Sequence, residues 1–135
     1  MYNSFFDKFH IGAYCLPKCA TEEHVRELSE CGIDLIFSVK NDKALLDMLA
    51  KYNVGAVVNG VLPWWFGADG TNAGTMHITN PTEAYVTRAR QFINHHAIAG
   101  IDVGDEPSAL DFAHYGKVIE HMKERFPNKL LYLNI

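Results

Sequence analysis

Residues 97–107, with the sequence Ala-Ile-Ala-Gly-Ile-Asp-Val-Gly-Asp-Glu-Pro, decide the fold class of this 135-residue chain. The apolar part, 97–104, is typical of a parallel strand that is covered on both faces. It ends in two adjacent carboxylates, and Ser108 follows at a position suited to capping a helix. The carboxyl ends of parallel strands commonly carry the chemistry of α/β enzymes, so Asp105 and Glu106 are the first candidates for functional side chains.

Strands and helices are expected to alternate on both sides of this stretch. The expected strands are residues 10–15, 33–39, 54–59, 97–104 and 129–135. Expected helices run from a Thr21 cap to Cys31, from an Asn41 cap to Tyr52, from an Asn80 cap to His95–His96, and from Ser108 and Asp111 to Pro127 with Phe112 on the buried side. Residues 60–79 are expected to form a long loop, and loops of that length are usually functional or mobile.

This order predicts a single α/β domain over residues 1–135, with a parallel sheet and right-handed crossovers. One architecture is the first half of a (β/α)₈ TIM barrel, which typically needs about 250 residues. The alternative is a complete, doubly wound open sheet of five strands. Length favours the doubly wound sheet, whereas the Asp-Glu-Pro motif favours the half-barrel. Because the sequence stops at Ile135 inside an expected strand, we expect the N-terminal half of a longer barrel.

Composition excludes several classes of protein. The net charge is -4, and the lysines and arginines are scattered, which argues against a nucleic-acid surface. No stretch approaches the roughly 18 apolar residues of a membrane span, and the N-terminus lacks the apolar core of a signal peptide, so a cytoplasmic location is expected. Cys15, Cys19 and Cys31 are odd in number and lack CxxC spacing, which predicts buried free thiols. We expect no cofactor and no metal, because neither GxGxxG nor HExxH occurs.

Two interpretations of the acidic motif are a segment of an ATPase site and a purely structural role. The stretch 105–111 is similar to the Walker B segment of transporter-type ATPases, in which the acids hold Mg²⁺. That chemistry needs a GxxxxGK[ST] loop earlier in the chain, and residues 1–104 contain none. The structural interpretation is that Asp105 and Glu106 cap the following helix or pair with lysine or arginine.

The phrase at residues 100–108, followed by a helix and by Leu-Tyr-Leu-Asn at 131–134, resembles clan A glycoside hydrolases. These are TIM-barrel enzymes in which an Asn-Glu-Pro or similar triplet ends the fourth strand, and a subgroup of bacterial members has Asp-Glu-Pro. The resemblance implies that Glu106 is the general acid/base. Asp105 replaces the usual asparagine, which holds the sugar 2-hydroxyl. The resemblance also implies a retaining mechanism, in which the nucleophile lies on a seventh strand outside these residues.

Further residues are candidates for contacting a carbohydrate. Trp64 and Trp65, after the third strand, offer indole faces for the C–H patches of sugar rings. The polar residues near strand ends or in the long loop are Tyr14, Lys40, Asn59, His77 and Asn134. The expected function is therefore glycoside hydrolysis by a longer protein, with these 135 residues inactive or nearly so by themselves. Exposed half-barrel edges predict a homodimer. The competing hypothesis is a small, noncatalytic α/β ligand-binding module.

Overall fold

The computed structural model describes residues 8–17, 19–61 and 72–135. Its strands are β1 (Gly12–Tyr14), β2 (Leu35–Val39), β3 (Gly55–Val58), β4 (Ile98–Asp105) and β5 (Leu130–Asn134). They pair in parallel in the order β1-β2-β3-β4-β5. A doubly wound sheet reverses its order at a switch point, and this order has no reversal. The predicted half-barrel is therefore confirmed, and the doubly wound alternative is wrong.

The sheet is curled. Phe37 on β2 and Tyr132 on β5 have ring centroids only 4.7 Å apart. In a flat sheet these strands would be separated by three spacings, roughly 14 Å. The two rings therefore meet across the concave face, and together with Leu130 they cover a small inner cluster of Leu35, Val57 and Ala99. Their neighbours in sequence, such as Ile36 beside Leu35 and Ile98 beside Ala99, face the opposite way into the larger core.

The helices cover the convex face of the sheet. They are α1 (Glu22–Glu30), α2 (Lys43–Lys51), α3 (Met76–Thr79), α4 (Thr82–Ala89) and α5 (Phe112–Arg125), and a 3₁₀ turn, Ala109–Asp111, precedes α5. Their buried side chains and the outward residues of the strands form the main core, in which Tyr85 and Tyr115 are the largest fully buried residues. In the described part of the chain, no helix is both long and apolar enough to span a membrane.

Two helix starts depend on side-chain caps, one predicted correctly and one not. Thr21 caps α1 as predicted, because its hydroxyl accepts a hydrogen bond from the backbone N–H of His24. For α2 the predicted cap, Asn41, is wrong by one residue. The carboxylate of Asp42 accepts from the backbone N–H of Leu45 at 2.9 Å, and a carboxylate is the better partner for the positive end of a helix.

The segment before β4 differs most from the prediction. The expected loop 60–79 contains the short helix α3 at its end. Asn80 does not cap α4. Pro81 is the N-terminal cap residue, and the buried Asn80 side chain instead accepts a hydrogen bond from Arg88. The helix ends at Ala89 rather than at His95–His96, because the backbone changes to hydrogen bonds between residues three apart, such as Phe92 to Ala89.

The start of the last helix is also different. Ser108 caps the 3₁₀ turn by accepting from the N–H of Leu110, whereas Asp111 makes no capping hydrogen bond to α5. The Asp111 carboxylate is 1% exposed and accepts from the backbone N–H groups of Gly74 (2.8 Å) and Met76 (3.1 Å). It therefore ties the start of α3 to the turn that precedes α5. Phe112, predicted to be buried, is 47% exposed because it lies at the first turn of α5.

The cysteines were predicted to be free and buried. Cys15, Cys19 and Cys31 are free, but all three side chains are exposed. Cys15 directly follows β1 and Cys31 is the C-terminal cap residue of α1. Both positions are at the ends of elements, where the chain leaves the core, so the apolar character of a thiol did not decide its burial.

Candidate functional site

Polar side chains from β1, β2, β4 and β5, and from the residue directly after β3, lie near the carboxyl-terminal edge of the sheet. We call them the strand-end group: Tyr14, Ser38, Asn59, Asp102, Asp105 and Asn134. Parallel strands present their carboxyl ends at one edge, so residues far apart in sequence meet there. The sequence predicted four of these residues as ligand contacts, but it missed Ser38 and Asp102.

Asp102 is the most perturbed carboxylate of the site. It lies on β4 between Ile101 and Val103, and it is only 7% exposed. Burial raises the pKa of Asp102 to about 6, and the negative charge of Asp105 adds to the rise. Hydrogen bonds from the backbone N–H of Gly104 (3.2 Å) and from Ser38 offset part of it. Asp102 can therefore hold or release a proton near neutral pH, which is the property required of a general acid or base.

Asp105 is held by the neighbouring strand. The amide nitrogen of Asn134 donates to the Asp105 carboxylate over 2.7 Å, and the two residues are direct partners in the β4–β5 register. Asn134 also accepts, through its backbone carbonyl, a hydrogen bond from the N–H of Glu106 at 2.9 Å. β5 thus fixes both residues of the acidic pair. No lysine or arginine of the described residues forms an ion pair with Asp105 or Glu106, so ion pairing, one form of the structural interpretation, finds no support there.

Glu106 stands at the point where the chain leaves β4. Its φ is +41°, in the left-handed region that a residue with a Cβ rarely adopts. Its side chain is exposed, and within the described ranges no group donates a hydrogen bond to its carboxylate. Backbone strain of this kind costs on the order of 1–3 kcal/mol and concentrates at functional sites. Glu106 is therefore accessible to a ligand in a backbone conformation that stability alone would disfavour.

Ser38 has the same unusual backbone conformation on β2, with a φ of +55° at an irregularity in the β2–β3 pairing. The amide nitrogen of Asn59 donates both to the Ser38 carbonyl (3.2 Å) and to its hydroxyl (3.1 Å). The same hydroxyl interacts with Asp102 and with Tyr14. Ser38 therefore joins β1, β3 and β4 in one polar network.

Two tyrosines flank the carboxylates. Partial burial raises the pKa of Tyr14, and the charges of Asp105 and Asp102 raise it further, against a hydrogen bond with Ser38 that lowers it. Burial likewise raises the pKa of Tyr132, followed by the charges of Asp102 and Asp105. Both phenols therefore stay protonated at neutral pH and can donate a hydrogen bond to a ligand. Tyr132 was not among the predicted site residues.

Other predicted residues are not brought into this group. The ring of His77, on α3, lies 6.5 Å from the ring of His114 on α5. Lys40 follows β2 and lines a separate cleft. Trp64 and Trp65 lie outside the described residues. Across the described part of the chain, no three His, Cys, Asp or Glu side chains are arranged to hold a metal ion.

Sequence comparisons found no matching family model and no matching curated protein. Solved structures do match. Pseudomonas stutzeri endoglucanase Cel5A, in complex with cellobiose, has a TM-score of 0.58 and 19% identity over 82% of this chain and 40% of its own. The Legionella pneumophila ChiA C-terminal domain has a TM-score of 0.60 and 11% identity over 93% of this chain and 46% of its own.

A third match is a β-glucuronidase from glycoside hydrolase family 2, with a TM-score of 0.54 and 19% identity over 84% of this chain and 12% of its own. The chain thus spans less than half the length of each of these proteins. At such identities the likeness is one of fold. The chain has the TIM-barrel-like fold found in glycoside hydrolases.

Proposed function

We propose that this chain supplies the acid/base side of a glycoside hydrolase active site, with Glu106 as the general acid/base. The observation that carries the proposal is the position of Glu106. It is exposed, conformationally strained, and directly beyond β4 at the edge of the sheet that carries the strand-end group. A general acid must reach the glycosidic oxygen, and an accessible carboxylate at this edge meets that requirement.

The neighbouring carboxylates support the same chemistry. Asp102 has a pKa of about 6, so at neutral pH it is partly protonated beside Asp105. A buried carboxylate costs stability, and perturbed carboxylates cluster at functional sites. In this proposal Asp102 holds a proton near the reacting centre, and Asp105 accepts a hydrogen bond from a sugar hydroxyl.

A carbohydrate is the ligand that the group suits best. Sugar hydroxyls both donate and accept hydrogen bonds, and the strand-end group offers carboxylate oxygens, amides and phenols within one edge. Asn134 and Asn59 are already oriented by Asp105 and Ser38. The predicted stacking on Trp64 and Trp65 is part of the proposal. The endoglucanase with the same fold was solved with cellobiose, which supports a saccharide ligand.

The second carboxylate of the mechanism is assigned outside this chain. Retaining enzymes place a nucleophile about 5–5.5 Å from the acid/base, and the resemblance implies a seventh strand for it. The described part of this chain has five strands. The proposal therefore assigns Glu106 to these residues and the nucleophile to a further segment or partner.

Hydrolysis of a panel of aryl glycosides tests the proposal. The protein is purified as its source produces it, and its intact mass is compared with 15.2 kDa. We expect turnover, and we expect Glu106→Gln to reduce kcat by at least about 100-fold without a loss of thermal stability. Glu120→Gln, at an exposed carboxylate on α5, is the matched control. Turnover that is equal in both variants would exclude Glu106 as the acid/base.

The second candidate function is noncatalytic ligand binding at the same edge. It is favoured by the exposure of Glu106, since catalytic acids usually have buried surroundings that raise the carboxyl pKa. This hypothesis predicts saccharide binding without turnover. It also predicts that Glu106→Gln changes the affinity for the saccharide only slightly.

A further inference from the structure

A cleft separate from the acidic pair lies beside the carboxyl ends of β2 and β3. Its volume is about 360 Å³, and we call it the basic cleft. Two cationic side chains, Lys40 and Arg88, line it together with the amide side chains of Asn41, Asn59 and Gln91. The volume is within the roughly 300–1,000 Å³ of small-molecule sites.

The cations of the cleft have no counter-charge among the described residues. No described aspartate or glutamate lines the cleft, and neither Lys40 nor Arg88 forms an ion pair with one. The net charge of the chain is -4, and six of the nine other described lysines and arginines pair with acids. Two cations beside one cleft repel each other, and an anion would remove that cost.

Arg88 is also held in place before any ligand arrives. One guanidinium nitrogen, Nη1, donates to the carbonyl of Val61 (2.7 Å) and to the side-chain oxygen of the buried Asn80 (3.1 Å). Asn80 is in turn fixed through its carbonyl, which accepts from His114 at 2.9 Å. A guanidinium fixed on one side keeps its other N–H donors for an oxyanion at little further entropic cost.

We propose that the basic cleft binds the anionic group of an acidic saccharide, a carboxylate or a phosphate ester, with Lys40 and Arg88 as its counter-charges. The sugar part of this proposal rests on the proposed function. Asn59 connects the two sites, because it lines the cleft and donates to Ser38 of the strand-end group. A saccharide could therefore extend from the acidic edge, where hydrolysis is proposed, into the cleft with its charged group.

The test is an NMR titration of the ¹⁵N-labelled chain with sodium glucuronate, inorganic phosphate and neutral glucose at constant ionic strength. We expect both anions to shift the backbone amides of Lys40, Asn41 and Gly60, and glucose to leave them unchanged. Lys40→Gln should weaken anion binding about tenfold, because a charge-assisted hydrogen bond is lost. The matched control, Lys117→Gln, removes the same charge from an exposed position on α5. Arg88→Lys keeps the positive charge but removes the guanidinium, so it tests whether the fixed guanidinium contributes to anion binding.

The titrations with glucuronate and with phosphate distinguish an acidic sugar from a simple anion as the ligand. Glucuronate binding more tightly than phosphate supports an acidic sugar, and equal affinities support recognition of the anion alone. The proposal is overturned if neither anion shifts these amides, or if Lys40→Gln and Lys117→Gln weaken binding equally. A separate titration with a neutral oligosaccharide addresses the strand-end group. If the oligosaccharide shifts the amides of the strand-end group but no anion binds, the cleft proposal is wrong and the proposed function stands. If the anions bind but the oligosaccharide causes no such shifts, the result counts against the proposed function alone.

Discussion

Asn134 donates its side-chain amide to the carboxylate of Asp105 over 2.7 Å, and this bond joins the ends of β4 and β5. Because the Asn134 carbonyl also accepts from the backbone of Glu106, one residue orders both acids of the motif. The resemblance to clan A enzymes assigned residue 105 to a sugar hydroxyl. In this chain Asp105 already has a protein partner, and no described residue donates a hydrogen bond to its other carboxylate oxygen.

Removing this amide should loosen the acidic edge. We expect Asn134→Ala to lower the free energy of unfolding by about 1 kcal/mol, because a partly buried carboxylate loses a hydrogen bond. Urea denaturation measures this change. Asn128→Ala, in the exposed turn before β5, is the matched control and should change stability by no more than about 0.5 kcal/mol. Equal effects of the two substitutions would show that the contact with Asp105 contributes nothing.

Asp102 should make stability depend on pH. Its pKa in the folded protein, about 6, is above that of an unfolded aspartate, so its contribution is fully present below about pH 4 and is lost as pH rises to about 6. Asp102→Asn removes this loss and should stabilise the protein at pH 7 by on the order of 2 kcal/mol relative to wild type. Thermal unfolding from pH 4 to pH 7 checks this. Parallel curves for the two proteins would contradict the assigned pKa.

Asp111 should hold the segment before α4 in place. Its buried carboxylate accepts from the N–H groups of Gly74 and Met76, and Asp111→Asn turns a donor toward one of them. We expect a loss of about 2 kcal/mol in stability and faster hydrogen exchange at both amides. Glu120→Gln, the same change at an exposed site, should leave exchange unaltered. Unchanged protection of Gly74 in Asp111→Asn would refute the role of Asp111.

Replacing two glycines by alanine should change the stability of the protein in opposite directions. A Cβ at Gly100, on β4, would lie 2.6 Å from the backbone oxygen of Leu130, whereas a Cβ at Gly116, on α5, would meet open space. Gly100→Ala should therefore destabilise the sheet by roughly 1–3 kcal/mol, and Gly116→Ala should stabilise the protein by roughly 0.5–1 kcal/mol. Chemical denaturation measures both. A tolerated Gly100→Ala would mean that β4 and β5 are less closely packed than described.

Self-association of these 135 residues is expected because the described strands leave two edges of the sheet unpaired. β1 and β5 each pair on one side only, and an unpaired edge is a template for another strand. Analytical ultracentrifugation over a range of concentrations should show a dimer. A monodisperse monomer at high concentration would contradict this expectation.

The sequence predicted the fold well because its apolar runs have the length and spacing of buried parallel strands. It also predicted Tyr14, Asn59, Asp105 and Asn134 at strand ends, since each directly ends or follows an apolar run. Asp102 was missed because it lies inside such a run, between the core residues Ile101 and Val103. The one available signal was its alternation with Ile101 and Val103.

The region before β4 could not be predicted from local patterns. Asn80 has the sequence features of a cap, but Arg88, eight residues later, uses its side chain instead. Likewise Phe92 and Ile93 continue the helical spacing past Ala89, although they pack against the core from turns. Tertiary contacts decided both outcomes.

Chemical-shift mapping with a neutral cello-oligosaccharide on the ¹⁵N-labelled chain tests whether the acidic edge of this half-barrel binds carbohydrate. We expect shifts at the backbone amides of Asp105, Glu106 and Asn134, and we expect those of α1 and α2 to stay unchanged. Shifts confined to the helices, or none at millimolar saccharide, would contradict carbohydrate binding at this edge.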